Sequence, residues 1–407
     1  MWLGGFAGGS VFDVNTAYQH ASRLLIEVAM EKETQGHQLM LHLKENPKFL
    51  TEQIITYIGN KRALLQFIGA ALDTIRKNLH KEKLDAVDMF SGSGIVARFL
   101  KKYSNSLHVN DLEDYCETIN RCYLSNAEEI NFDELRRHYN TIIKSLETHA
   151  LKKGFISEMY SPADDTNIKI GERVFYTNRN AMYIDTARQL IEDIPQPYKT
   201  FLLAPLLYEA SVHTNTSGVF KGFYKNSKTG IGQFGGNGKN ALQRIMADIH
   251  LRMPVFSNYS CNVYVHKKDA NDLAMELPQA DIVYIDPPYN QHPYGSNYFM
   301  LNLINNYIRP ADVSKVSGIP VGWNTSRYNK RQTAFSSMKD LCHSLKTKYL
   351  LISFSNDGFI SKDDMLGILA DIGEVKVYDK EYNTFRGARN LSGRDIHVRE
   401  YLYLVKK

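Results

Sequence analysis

Short runs of β-branched and aromatic residues alternate with helix-length amphipathic stretches along most of the chain, the pattern of a largely parallel sheet wound with helices. Residues 86–90, 107–110, 262–266, 281–285 and 349–355 read as five strands. Apolar positions at helical spacing predict helices over 63–79, 112–124, 298–307 and 362–370. Residues 375–378 and 397–405 are β-rich with a turn region over 382–395 and no helix between them, which predicts an antiparallel hairpin on a sheet edge. The alternation stops between residues 127 and 260, too long a gap for a connection. A charged helix over about 128–152 and two apolar helices near 184–211 are expected there. The implied architecture is α/β: a doubly wound, seven-stranded Rossmann-like core formed by residues 51–126 and 261–407, with a mostly helical insert at 127–260. Residues 1–50 form an N-terminal extension, with a helical face at Ala21, Leu24, Leu25, Val28 and Ala29.

The fourth strand runs into Asp286-Pro287-Pro288-Tyr289. Proline cannot donate to a ladder, so the strand must stop, leaving a carboxylate and an aromatic ring at the carboxyl edge where open α/β sheets bind ligands. A proline-stiffened turn without chemistry is the plain alternative. The first strand passes into Ser91-Gly92-Ser93-Gly94 and then a helix, a turn whose small residues let the backbone approach a nucleoside. It is neither the GxGxxG of a dinucleotide site nor a P-loop, which disfavours NAD and ATP. Asp111, 17 residues beyond Gly94, ends the second strand, where it could hold ribose hydroxyls or cap the next helix. Glu113 is the other candidate ribose partner.

Composition adds limits. With 407 residues, 43% hydrophobic and 23% charged, the chain is an ordinary globular protein of one or two domains. A net charge of +5 tolerates a polyanion only where cations cluster. They cluster between Gly218 and Arg244, where Lys221, Lys225, Lys228, Lys239 and Arg244 occur with no acid. Phe220, Phe223 and Tyr224 lie among them, so this loop could follow a phosphate backbone while its rings wedge or stack on bases. The rival is a solvated surface loop. Four cysteines without CxxC or Cys/His spacing suggest reduced thiols and no structural metal. No signal peptide or membrane-length run is evident, so a cytoplasmic protein without membrane contact is expected.

An aromatic amine is a weak nucleophile because its lone pair is delocalised into the ring. Asp286 and the Pro287 carbonyl could accept its two hydrogens, drawing the nitrogen towards tetrahedral geometry, while Tyr289 stacks on the ring. Attack on an activated methyl then needs no enzyme nucleophile. In a duplex the base would first have to leave the stack.

Tyr57-Ile58-Gly59-Asn60-Lys61, Phe90-Ser91-Gly92-Ser93-Gly94, Asn110-Asp111 and Asp286-Pro287-Pro288-Tyr289, in that order, resemble the motifs of the Dam-like alpha group of adenine-specific DNA methyltransferases. Residues 287–297, 353–359 and 382–390 look most like FokI-type modification methylases. The resemblance implies transfer of a methyl group from S-adenosylmethionine to adenine N6 in duplex DNA with the base flipped out. It also implies a restriction-modification setting with a cognate restriction endonuclease. By it, Tyr57 and Lys61 contact the methionine end of the cofactor, and Asp88, Phe90, Gly92 and Gly94 form the turn beneath it. Asp111 holds the ribose, Asp269 lies near the adenine, and Asp286 stands between cofactor and target amine. Catalysis is assigned to Asp286, Pro287, Pro288 and Tyr289, and DNA contact to Phe385, Arg386 and Arg389 alongside Lys221, Lys225 and Lys228. The insert, by the same resemblance, serves target recognition. Two rivals remain: an RNA or protein-amide N-methyltransferase, and a catalytically silent DNA-binding subunit on the same scaffold.

Overall fold

The computed structural model describes residues 44–236, 238, 239, 241–383 and 397–407; the expected face at 21–29 and the residues Phe385, Arg386 and Arg389 lie outside them. Seven strands form one sheet in the order β3-β2-β1-β4-β5-β7-β6. They are β1 (Leu84–Asp88), β2 (Ser104–Asn110), β3 (Asn262–His266), β4 (Ala280–Ile285), β5 (Thr347–Ser355), β6 (Glu374–Asn383) and β7 (His397–Lys406). β1 to β5 pair in parallel. β7 is antiparallel to both β5 and β6, so the hairpin expected at the edge is present with its second strand turned inward.

The helices, in chain order, are α1 (Leu65–Leu79), α2 (Ile95–Lys101), α3 (Asp114–Tyr123), α4 (Phe132–Thr148), α5 (Phe155–Tyr160), α6 (Asn178–Glu192) and α7 (Tyr198–Val212). They continue with α8 (Leu242–Met246), α9 (Ala270–Glu276), α10 (Tyr294–Asn297), α11 (Phe299–Asn306), α12 (Arg331–Ser344) and α13 (Lys362–Ala370). β1 ends at Asp88, two residues before the expected end, because Met89 and Phe90 already belong to the turn.

The period of two in each strand divides its side chains between two layers. Ala86, Ile282, Leu351, Leu402 and Leu404 pack against α1 and α2. Val87, Val283, Ile352, Tyr403 and Val405 pack against α9, α12 and α13. The sheet is thus covered on both faces, as parallel strands require.

A third core joins the insert to the catalytic elements. Ile142 of α4, Ile184 of α6 and Leu206 of α7 share one apolar cluster with Cys116 and Ile119 of α3 and Leu301 of α11. Residues 45–407 form one compact unit, with no division at 127 or 260. No helix among the described residues is long and apolar enough to cross a membrane.

Candidate active site

β1 and β4 are central neighbours whose chains leave in opposite directions, so their carboxyl ends open a crevice. The cleft there, open to solvent, is lined by Tyr57, Lys61, Asp88, Phe90, Gly92, Asp111, Asp269 and the tetrapeptide Asp286 to Tyr289. Residues spread over more than 230 positions are therefore gathered at one place.

The motif glycines Gly59 (φ +74°), Gly92 (+51°) and Gly94 (+77°) have left-handed backbone. At Gly92 a Cβ would stand 2.7 Å from the Tyr57 ring, so only glycine lets that ring lie on the turn. Tyr57 in turn stacks on both Tyr294 (4.8 Å) and Tyr298 (4.6 Å), which are 5.9 Å from each other. The Tyr298 hydroxyl accepts from the Ile58 amide at 2.7 Å, while the Tyr294 hydroxyl donates to the Ile58 carbonyl at 3.1 Å. Gly94 caps α2 beside Asn120 rather than lining the cleft.

Asp111 accepts the Gly92 amide on Oδ2 at 2.8 Å and the Glu113 amide on Oδ1 at 3.0 Å. The N-cap of α3 is Glu113, so Asp111 ties the ends of β1 and β2 together instead of capping the helix. Glu113 accepts from Asn302 at 2.6 Å, and burial raises its pKa to about 7. Asp269 does cap a helix, accepting the Asn271 amide at 2.9 Å, and pairs with Arg327 at 3.1 Å. Asp88 is fully buried, and neither of its oxygens has a hydrogen-bond partner among the described residues. Burial pushes its carboxyl well above the usual range, with Asp286 and Asp111 adding to the shift; the nearby amides of Phe90 and Ala97, outside hydrogen-bond geometry, offset this only in part.

The tetrapeptide carries the densest chemistry. Lys61 Nζ stands 3.1 Å from Asp286 Oδ1, 3.0 Å from Glu400 Oε1 and donates to the Tyr289 hydroxyl at 2.7 Å. The Tyr289 hydroxyl is 2.6 Å from the same Asp286 oxygen and 2.5 Å from Glu400 Oε1. Each of these contacts to Asp286 falls on Oδ1, and Oδ2 receives no hydrogen bond from the described residues. Burial raises the Asp286 pKa to about 6, against the pull of Lys61. The Tyr289 ring rests on Phe354 at 4.7 Å, so in this state its hydroxyl is turned to the acids. Glu400 escaped the sequence reading; its signal is an acid in step with Leu402 and Leu404 on an otherwise apolar strand face.

The lysine loop adjoins the cleft. Lys221 Nζ is 3.2 Å from Nδ1 of the cleft residue His292, and Lys221, Lys225 and Lys228 are exposed. Its phenylalanines correct the sequence expectation: Phe220 and Phe223 are buried against Phe175 and cannot reach bases, because the loop needs them as anchors. Arg244 is likewise occupied, donating to the carbonyls of Val212 and Thr214 behind α7. The four cysteines are free and buried.

Residues 57–316 match the model of the D12 class of N6 adenine-specific DNA methyltransferases. The type II methyltransferase M.CviAII of Paramecium bursaria Chlorella virus 1 is 30% identical over 358 residues, covering 86% of this chain and 98% of its own. M.NlaIII of Neisseria lactamica is 27% identical over 361 residues, 87% of this chain and 99% of its own. M.FokI of Planomicrobium okeanokoites is 26% identical over 371 residues, 86% of this chain and 52% of its own. With the glycine turn, the strand-end acids and Asp-Pro-Pro-Tyr meeting at one switch point, the chain belongs to the D12 class of N6 adenine-specific DNA methyltransferases.

Proposed function

We propose that this methyltransferase acts on an adenine extruded from duplex DNA, with S-adenosylmethionine as donor, as the cytoplasmic modification partner of a restriction endonuclease. The observation that carries the reading is the Asp286 carboxylate at the switch point. One oxygen is pinned by Lys61 and Tyr289, and the other is left to the cleft.

The cleft fits the donor's chemistry. A buried, unpartnered carboxylate at Asp88 calls for a cation or a hydrogen-bond donor, as an amino-acid ammonium would provide. The Asp111 oxygens accept the Gly92 and Glu113 amides and keep lone pairs for a ribose hydroxyl. Tyr57, Lys61, Asp88, Phe90, Gly92, Asp111 and Asp269 would hold the donor, which when bound supplies an electrophilic methyl on a sulfonium.

Asp286 Oδ2 accepts one hydrogen of the target amine, and the Pro287 carbonyl the other, which exposes the nitrogen lone pair. As the new N–C bond forms and the S–C bond breaks, the nitrogen sheds one proton, and Asp286 is the base beside it. Positioning supplies much of the rate. Lys221, Lys225 and Lys228 neutralise phosphates at the cleft mouth, and the Tyr289 ring, once its hydroxyl is released, stacks on the extruded base.

Incubation with labelled cofactor and unmodified duplex DNA, RNA or protein tests the reading. Label should appear on DNA, as N6-methyladenine, and Asp286→Ala should abolish it while cofactor binding persists. Label confined to RNA or protein refutes the assignment.

A further inference from the structure

Glu400 lies on β7, beyond the stretch 57–316 that matches the family model, yet its side chain reaches the reaction centre. It is fully buried. A buried carboxylate is expensive unless paired, and a leucine would serve the sheet better, since Leu402 and Leu404 fill the same face. The residue therefore answers to something other than packing.

Its partners say what. Oε1 lies 3.0 Å from Lys61 Nζ, 2.5 Å from the Tyr289 hydroxyl and 2.5 Å from Ser353 Oγ. Lys61 and Tyr289 are the two groups that grip Asp286 Oδ1. Lys61 alone could approach either Asp286 oxygen; anchored to Glu400 and Tyr289, it is confined to one.

We propose that Glu400 is a positioning residue for methyl transfer, holding Lys61 and Tyr289 so that Asp286 presents Oδ2 to the target amine. The inference rests on the reading of Asp286 as acceptor of that amine. Among the described residues, the titratable groups around Glu400 are Lys61 before α1, Tyr284 on β4, and Asp286 and Tyr289 of the tetrapeptide. Tyr403 belongs to its own strand, and Lys380, its register partner on β6, donates to the Ala63 carbonyl at 3.2 Å. Glu400 raises the pKa of Asp286, so neutralising it favours the ionised aspartate.

Full-length Glu400→Gln and Glu400→Asp enzymes, checked for folding by thermal melting, test the proposal on the methylated DNA site of the native enzyme. For Glu400→Gln, turnover at saturating substrates should fall about tenfold or more, cofactor Kd should stay within about threefold, and the acid limb of the pH profile should move to lower pH. Glu400→Asp keeps the charge but shortens the reach. Its acid limb should remain in place, with turnover between those of Glu400→Gln and the native enzyme. Native turnover in either variant overturns the proposal, as does an equal loss in both with no movement of the limb. Should Glu400→Gln fail to fold, Glu400→Asp decides alone: reduced turnover with an unmoved limb supports the proposal, and any other result overturns it. Asp286→Ala separates the two readings. If it turns over normally, the Asp286 assignment falls and this inference with it; if it is silent while Glu400→Gln is normal, only the Glu400 role is lost.

Discussion

The Gly92 amide donates to Asp111 Oδ2 at 2.8 Å, so the turn leaving β1 is held by the carboxylate that ends β2. Gly92→Ala should disturb this bond in two ways. The left-handed backbone is strained for alanine by about 1–2 kcal/mol, and the new Cβ meets the Tyr57 ring at 2.7 Å. We expect cofactor Kd to rise about tenfold or more with DNA affinity unchanged, read by calorimetry and by DNA-binding titration.

The Asp286 pKa of about 6 sets a pH dependence. Only the ionised carboxylate can accept the amine hydrogen and later its proton. Thus kcat/KM should be level above pH 6 and fall about tenfold per unit below it. A profile flat to pH 5 removes Asp286 from this role.

Asp88 has its carboxyl raised by burial and by Asp286 and Asp111, so the free enzyme holds a proton there more readily than an ordinary aspartate would. Binding of a cationic amino-acid end favours the ionised form and should expel that proton. Calorimetry in buffers of different ionisation enthalpy should therefore register proton release on cofactor binding. Asp88→Asn should abolish that release.

Replacing Lys221, Lys225 and Lys228 with alanine should reduce the slope of log K against log salt by up to about 0.9 per lysine, weakening DNA binding without changing the methylated site. An unchanged slope returns the loop to a solvated surface.

Arg98 is buried, with no acidic partner among the described residues. It donates to the carbonyls of Phe49 (2.9 Å), Glu52 (3.1 Å) and Gln53 (2.8 Å) while stacked on Tyr123 at 3.8 Å. It fastens the segment leading to Tyr57 onto α2. Arg98→Met leaves these carbonyls unsatisfied and should destabilise the protein by about 2–5 kcal/mol in urea unfolding.

What was legible followed from periodicity and punctuation. The prolines after Ile285 and the bounds of β3 and α13 come directly from local residues. α12 was masked by its polar residues: its buried stripe of Ala334, Met338, Leu341 and Cys342 is helical in spacing but set among serines and the charged Arg331, Lys339 and Asp340. The roles of Phe220, Asp269 and Glu400 depend on elements distant in sequence, which no local pattern encodes.

Tyr298 belongs to two neighbourhoods at once: it lies in the apolar cluster beneath α6 and α7, and it stacks on Tyr57 at the cleft. The insert is therefore not a detachable cassette: exchanging residues 127–260 for those of a relative repacks the floor on which the cleft's ring stack rests, so the two must be changed together.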